Sequence, residues 1–425
     1  MKILLTLFLI LDFGYHLLFT VLNNKQRSKP LPNEVNDIYD EKRYQTFINY
    51  KSEYRKLSLI TKVCTMVLDL ILIYSNFFSL LESFTKNPYL LIFITSTLLL
   101  IINSIFTYII DYYATFTIEE KYEMNKKDLK EFNKDFFINL ILEFSLNTCV
   151  YLFITFVCES IGTYSQTHRI TYLQSFGICL LIILAFALIL VFFMFMSYLS
   201  LKKQYEFSEL ENDELRSKIE DMMKDSKKKV KKIQVYNESK KSTSKNAFLL
   251  KLLWIREFGI ADNFMNENCE DELLAVLAHE IGHLKHKKDI YDYSKYILLG
   301  IVLILFVWLL PHIELIKDLN SIILTTFNLE TNNYYVSFLV ISIILNPLMV
   351  LFEAYMNTIT RIQEYEADEH SVKMGYGKEL IQTFKQLSND ELVDVNPHPF
   401  VEFMTYNHPG MYNRIKHIQE KMESN

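Results

Sequence analysis

The 425-residue sequence predicts a mainly α, polytopic membrane protein with seven transmembrane helices. Three observations carry that prediction. Half the residues are hydrophobic and fall in long blocks. The connections between the blocks alternate in basic charge. A histidine pair at helical spacing, 277-LAHEIGHLKHKKD-289, stands directly before one of the blocks.

A hydrocarbon core needs about 20 apolar residues to cross. The blocks at 2–22, 59–82, 88–111, 137–158, 172–199, 294–311 and 334–356 meet that length or approach it. The first, MKILLTLFLILDFGYHLLFTVL, ends without a small-x-small cleavage pattern and is interrupted by Asp12 and His16, so it is expected to be a retained span. Between the first two spans lie eight Lys and Arg, from Lys25 to Lys56, and the next connection holds only Lys86. The following one carries Lys121, Lys126, Lys127, Lys130 and Lys134; the next has only Arg169. Segment 200–293 is rich in lysine, 312–333 holds only Lys317, and the tail is basic. Short basic loops stay cytoplasmic, which puts the first, third and fifth connections and the C-terminus on that side.

The expected division is therefore a first span (1–22), a cytoplasmic loop (23–58), spans two and three (59–111), a second loop (112–136) and spans four and five (137–199). A cytoplasmic segment (200–293), spans six and seven (294–356) and a C-terminal segment (357–425) complete it. Asp12, Lys62, Asp69, Glu143 and Glu353 lie within or beside spans; charge in lipid is costly, so a watery interior is expected, with Lys62 and Glu353 alternatively reaching the interface. The five cysteines show no C-x-x-C pair and read as small apolar residues. The net charge of −6, with no basic tract interleaved with aromatics beyond the short 226-SKKKVKK-232, gives no indication of nucleic-acid binding.

The histidine motif is expected on a helix capped by Asn268, with Glu270, Asp271 and Glu272 in a first turn that favours carboxylates. His279 and His283 then share a face and can reach one ion, and a zinc ion suits two imidazoles and a carboxylate. Glu280 is turned about 100° away and can instead touch a bound water, taking its proton as it attacks a carbonyl. Gly282 lets a substrate or strand come close. The third ligand is expected from 361-RIQEYEADEHSVKMG-375, after the last span, with Gly375 ending that helix. Glu364 completes a His-His-Glu set, with His370 as the competing candidate. Asp368, one turn on, is placed to hold the outer N–H of a ligating imidazole.

With these motifs in view, the sequence resembles the type 1 CAAX prenyl proteases, integral-membrane zinc proteases. HEIGH and EYEAD are joined in order by 30-PLPNEVNDIYDEKRYQTFINYKSEYRKLSLI-60, 113-YATFTIEEKYEMNKKDLKEFNKD-135, 242-STSKNAFLL-250 and 404-MTYNHPGMYNRI-415. The resemblance implies a large intramembrane chamber walled by seven helices, with a zinc site at its cytoplasmic end and a small β-hairpin or edge strand beside it. It implies one zinc per chain and removal of the last three residues of isoprenylated Cys-a-a-X proteins. A quality-control protease clearing misfolded or stalled chains is the alternative.

Residue by residue, the resemblance matches His279, His283 and Glu364 to the metal ligands and Glu280 to the general base. It matches Asn246 to a substrate-backbone contact and His408 to an oxyanion donor. Arg414 matches an arginine that contacts substrate or braces the His408 loop. The endoplasmic reticulum membrane is implied by resemblance alone, since the tail KMESN lacks a dilysine signal. Two departures stand out: 247-AFLLKLLWIREFGIAD-262 lacks the family's aromatic-glycine turn, and Leu284 stands where tryptophan is usual.

Overall fold

The computed structural model describes residues 1–167, 171–224, 230–252, 255–284 and 314–424. The chain is mainly helical, and six of its described helices are long and apolar enough to cross a membrane. They are α1 (Lys2–Arg27), α2 (Glu41–Tyr74), α4 (Pro88–Tyr113, continued as a π-helix over Ala114–Glu119), α5 (Leu129–Thr167), α6 (Tyr172–Gln204) and α11 (Tyr334–Lys373). The expected sixth span, 294–311, lies outside the described residues. The second span is shorter than its apolar block. α2 ends at Tyr74, Ser75 turns extended, and α3 (Phe77–Phe84) starts afresh. The 312–333 connection also contains a helix, α10 (Glu314–Phe327).

Local sequence explains the helix ends. Asp40 accepts from Arg43 N–H and so starts α2; Asn87 accepts from Tyr89 and Leu90 N–H ahead of Pro88, a residue suited to a first helical turn. α11 stops because Gly375 adopts φ +90°, the left-handed conformation that glycine tolerates. Large apolar side chains such as Ile105, Ile141 and Leu188 are exposed along the spans. Three of the five charges within or beside the spans are paired or gathered. Lys62 Nζ lies 2.6 Å from Asp12, which also accepts from Asn346. Glu143 joins Asn103, Asp111, Glu119, Asp135 and Asn139 around a cavity of about 520 Å³.

The soluble portion is built on a four-stranded sheet in the order β1-β2-β4-β3, larger than the hairpin expected. β1 (Phe207–Glu209) is antiparallel to β2 (Lys232–Tyr236), which runs parallel to β4 (Ile255–Ala261). β4 pairs antiparallel with β3 (Ala247–Leu252), which forms an open edge. The Phe248 ring of β3 lies over Gly259 on β4: a Cβ there would fall 2.4 Å from the end of the ring, which would have to turn aside. α7 (Asp213–Met222), α8 (Asp262–Glu267) and α9 (Glu270–Gly282) pack with this sheet through Ile219, Phe258, Ile260, Phe264 and Leu277, all essentially inaccessible to water. α12 (Gly377–Asp390), α13 (Pro399–Thr405) and α14 (Met411–Ser424) complete the portion behind the C-terminal half of α11.

Candidate metal centre

α9 presents one apolar face to the sheet and the other to α11, and nearly every side chain from Glu272 to Gly282 is buried. Its N-cap is Cys269 rather than Asn268. Glu272 reaches back to Cys269 N–H and also accepts from the Asn268 side chain, so the carboxylate, not the asparagine, organises this end. Gly282 serves the packing of two helices, not a substrate or strand. A Cβ there would fall 2.7 Å from Ala367 Cα on α11. Ser371 Oγ donates to Ala275 O and His370 Nδ1 lies 2.9 Å from Ala278 O, which fixes the register of the two helices. The same contact turns His370 onto the α9 backbone.

That register brings His279, His283 and Glu364 together, with one ligand atom from each inside a 4.8 Å span. His279 Nε2 lies 3.5 Å from Glu364 Oε2 and His283 Nε2 lies 3.3 Å from Glu364 Oε1. Ligands about 2.1 Å from a tetrahedral ion stand about 3.4 Å apart, so donor chemistry and spacing both fit zinc. Asp368, fully inaccessible to solvent, lies one turn further along α11, with Oδ1 2.8 Å from His279 Nδ1. Burial pulls the His279 imidazole down, but the bonds to Asp368 and Glu364 outweigh it and raise the ring to about 9. The vertex therefore favours positive charge.

Glu280 is turned toward the open sheet edge. Ala261 N–H bonds to Asn246 O, which makes 246 and 261 a bonded pair and leaves the N–H groups of 247 and 249 facing outward. Leu249 N–H donates to Glu280 Oε2 at 3.2 Å. The edge strand thus runs directly beside the helix that carries the histidines. Asn246 is exposed at the start of that strand. His408 comes from the turn after α13, with Nε2 3.4 Å from Glu364 Oε1 and its side chain 57% exposed. Nδ1 of the same ring is 2.9 Å from Asn407 Oδ1.

Arg414 occupies a different place from the one expected. It lies buried behind the ligands and donates through Nε and Nη2 to Asp368 at 3.0 and 2.6 Å. Its Nη2 is also 3.6 Å from Glu364 Oε2. Burial disfavours its charge, but Asp368 and Glu364 more than offset that and hold the guanidinium above its usual range. The physical reason is direct: a buried carboxylate pair demands a counter-ion, and α14 supplies one.

Bracing of the His408 loop falls to two residues that sequence reasoning passed over. Arg361, three residues before Glu364 on α11, donates to the carbonyls of Glu402, Phe403 and Tyr406. Glu402 accepts from Gly410 N–H at 2.8 Å and from the Asn413 amide at 2.9 Å. A detectable signal existed for Arg361, since its i−3 offset puts it on a face shared with Glu364. Glu402 carries no such signature.

Residues 209–422 match peptidase family M48, and residues 20–199 match the CAAX prenyl protease N-terminal domain of five membrane helices. The chain is 28% identical over 418 residues to "Probable CAAX prenyl protease 1" of Schizosaccharomyces pombe, covering 92% of this chain and 82% of that one. It is 26% identical over 453 residues to "CAAX prenyl protease 1" of Saccharomyces cerevisiae, covering 100% and 97%. The crystal structure of S. mikatae Ste24p superposes with a TM-score of 0.76 at 22% identity over 98% of each chain, which shows the same fold. The chain is a multi-pass membrane metallopeptidase, and it belongs to peptidase family M48.

Proposed function

We propose that this protein is a zinc-dependent membrane endopeptidase that removes the C-terminal aaX tripeptide from isoprenylated CaaX proteins. The single observation that carries the reading is the convergence of His279, His283 and Glu364 beside an open sheet edge. These three would hold one zinc ion, which when bound supplies Lewis acidity and a water of lowered pKa. Glu280 accepts the proton of the attacking water and passes it to the leaving amine. The Leu249 N–H at 3.2 Å holds the Glu280 carboxylate at the edge strand, where an extended peptide would pair by β-augmentation. Asn246 binds substrate backbone where that strand begins. His408 donates to the oxyanion as charge develops there, from a loop that Arg361 and Glu402 hold in place. Asp368 fixes the tautomer of His279, and Arg414 balances the charge of Asp368 and Glu364.

α11 accounts for the position of the site. It is one continuous helix from the apolar stretch ending at 356 to Glu364, eight residues or about 12 Å further on. A prenyl chain gains about 0.8 kcal/mol per CH₂ buried in lipid, so a prenylated tail stays at the leaflet. A site held about 12 Å beyond the hydrocarbon meets that tail without pulling the lipid into water. We assign the active site and C-terminus to the cytoplasmic side from loop charge, and the endoplasmic reticulum membrane from the family resemblance alone. The expected division splits the metallopeptidase portion between 200–293 and 357–425, with the expected spans six and seven between the halves. The match of residues 20–199 favours this reading over a quality-control protease.

The test is incubation of the purified chain with a farnesylated C-a-a-X peptide, with and without a zinc chelator, followed by mass analysis. Release of the intact tripeptide, its loss on chelation and its return on adding zinc are expected. Chelator-insensitive cleavage would refute the metal, and cleavage elsewhere or none would refute the substrate. Equal rates on the unfarnesylated peptide would remove lipid recognition.

A further inference from the structure

α12 runs out at Asp390 into a turn, 388–394, that the backbone alone disfavours. Leu392 stands there at φ +50°, a left-handed conformation that a leucine keeps only where its surroundings hold it. The hold comes from the opposite end of the chain. The Tyr39 hydroxyl lies 2.6 Å from Ser388 O and 2.8 Å from Val393 O, so it donates across the mouth of the turn. Arg43 donates to Asn389 O at 2.7 Å and to Asp390 O at 3.0 Å, and Arg27 Nη2 meets Asp394 at 2.6 Å. Leu392 itself is inaccessible to water, packed in one apolar cluster with Val35, Ile38, Tyr39 and Phe47. The turn is thus fixed by residues 27–47, which are the end of α1, the first cytoplasmic loop and the start of α2.

The same turn grips the approach to the edge strand. Glu391 accepts from the Ser244 hydroxyl at 2.6 Å, and Asp390 meets Lys245 Nζ at 3.0 Å. From the sheet side, the Asn263 amide donates to Ser244 O and Ala261 N–H donates to Asn246 O, both at 2.8 Å. Residues 244–246 are therefore held between turn and sheet immediately before β3 begins at Ala247. β4 pairs with one side of β3 and the other side is the open edge. The outward placement of the strand is set at two places, by Asp390 and Glu391 ahead of it and by Glu280 at Leu249 N–H. A pairing peptide needs those edge groups within about 3 Å of its own, so a small displacement there is felt. The metal ligands depend on other contacts, the packing of Gly282 on Ala367 and the bonds of Arg414 to Asp368.

We propose that the 388–394 turn is a clamp through which the first cytoplasmic loop positions the open edge of β3, with Glu391 as the positioning residue that holds Ser244. The clamp sets where Asn246 and the outward N–H of residue 247 stand when a peptide pairs with the strand. It acts on peptide binding and not on the metal. The peptide half of this statement rests on the endopeptidase reading above. Tyr39 and Arg43 lie in the portion matched at 20–199, and the turn and strand in that matched at 209–422. The membrane portion thereby takes part in substrate alignment without touching substrate, two hydrogen-bonded steps away.

The experiment uses the full chain in detergent and a farnesylated C-a-a-X peptide. It measures turnover, peptide binding in the Glu280→Gln background, zinc affinity by chelator competition, and hydrogen exchange at the β3 amides. Ser244→Ala, Glu391→Ala and Tyr39→Phe should each raise KM and weaken binding about three- to tenfold, the worth of one hydrogen bond, with kcat and zinc affinity held. Glu391→Gln should restore most of the affinity, because its amide oxygen still accepts from Ser244. Exchange should quicken along β3 and not along α9. Ser244→Ala with Lys245→Met cuts both links, and adding Tyr39→Phe to that pair should change KM no further. Unchanged KM, binding and β3 exchange in Ser244→Ala and Glu391→Ala overturn the clamp. So does a loss of zinc affinity in step with KM, which a general structural role would give. A Tyr39→Phe effect that survives in the doubly cut chain overturns it as well. A wild-type chain that neither binds nor cleaves the peptide overturns the endopeptidase reading instead, and β3 exchange alone then decides the clamp.

Discussion

Replacing Asp368 with asparagine removes one charge from a site where every charge has a partner. Asp368 takes two bonds from Arg414, at 2.6 and 3.0 Å, and faces His279 Nδ1 at 2.8 Å. Asparagine keeps the shape and one acceptor, so the helix packing survives while the negative charge is lost. Two consequences follow for the metal. His279 is no longer held by an anion in the tautomer that frees Nε2, and the Arg414 guanidinium, 3.4 Å from His279 Nδ1, is left behind the ligands with Glu364, at 3.6 Å, as its carboxylate partner. Losing a carboxylate behind a ligating imidazole weakens metal binding about 10- to 100-fold, or about 1.4 to 2.7 kcal/mol. Adding Arg414→Met removes that cation and should recover part of that loss, because the summed charge behind the ligands returns to its original value. Zinc affinity is read by competition with a chromophoric chelator in detergent, with thermal unfolding of the zinc-saturated protein as the control for folding. Unchanged affinity in Asp368→Asn would refute the account of His279. A double variant no better than the single would refute the role given to Arg414.

Glu280→Gln should retain zinc and lose about 10²- to 10⁴-fold in kcat, which metal analysis and peptide turnover measure together; retained turnover would remove the assigned base. Arg361→Gln frees the carbonyls of residues 402, 403 and 406, so kcat should fall with zinc content unchanged; a proportional loss of zinc would mean that Arg361 supports the ligands instead. His408→Ala should lower kcat about 10²- to 10³-fold with KM little changed, as loss of a preorganised oxyanion donor does. Gly282→Ala inserts a methyl where 2.7 Å separates it from Ala367 Cα and should cost about 1 to 3 kcal/mol, read as a lower unfolding temperature; full stability would show that α9 and α11 can part freely.

Much of this architecture is written locally. Apolar length alone marks the described helices that can cross a membrane, because lipid offers the backbone no partner other than its own helix. Four-residue spacing puts His279 and His283 on one face, and Gly375 ends α11 because few other residues accept its backbone angle. Other features lie beyond any local signal. The break at Ser75 interrupts an unbroken apolar block, and hydropathy cannot register a turn between two apolar helices. Arg414 illustrates a second limit: its chain position suggests a neighbour of the His408 loop, while its partners are chosen by how α14 packs under α11.

The sequence by itself therefore determined the membrane-spanning character, the helical histidine pair and the chemistry of the donors, since each depends on residues within a few turns of one another. Only the tertiary structure decided which arginine neutralises Asp368, which residues brace His408 and which helix packs against Gly282. Those choices are made between elements far apart in the chain. There the ordering is set by the packing of α9 against α11 at Gly282 and by the requirement that each buried charge find its counter-ion, and neither has a period along the sequence.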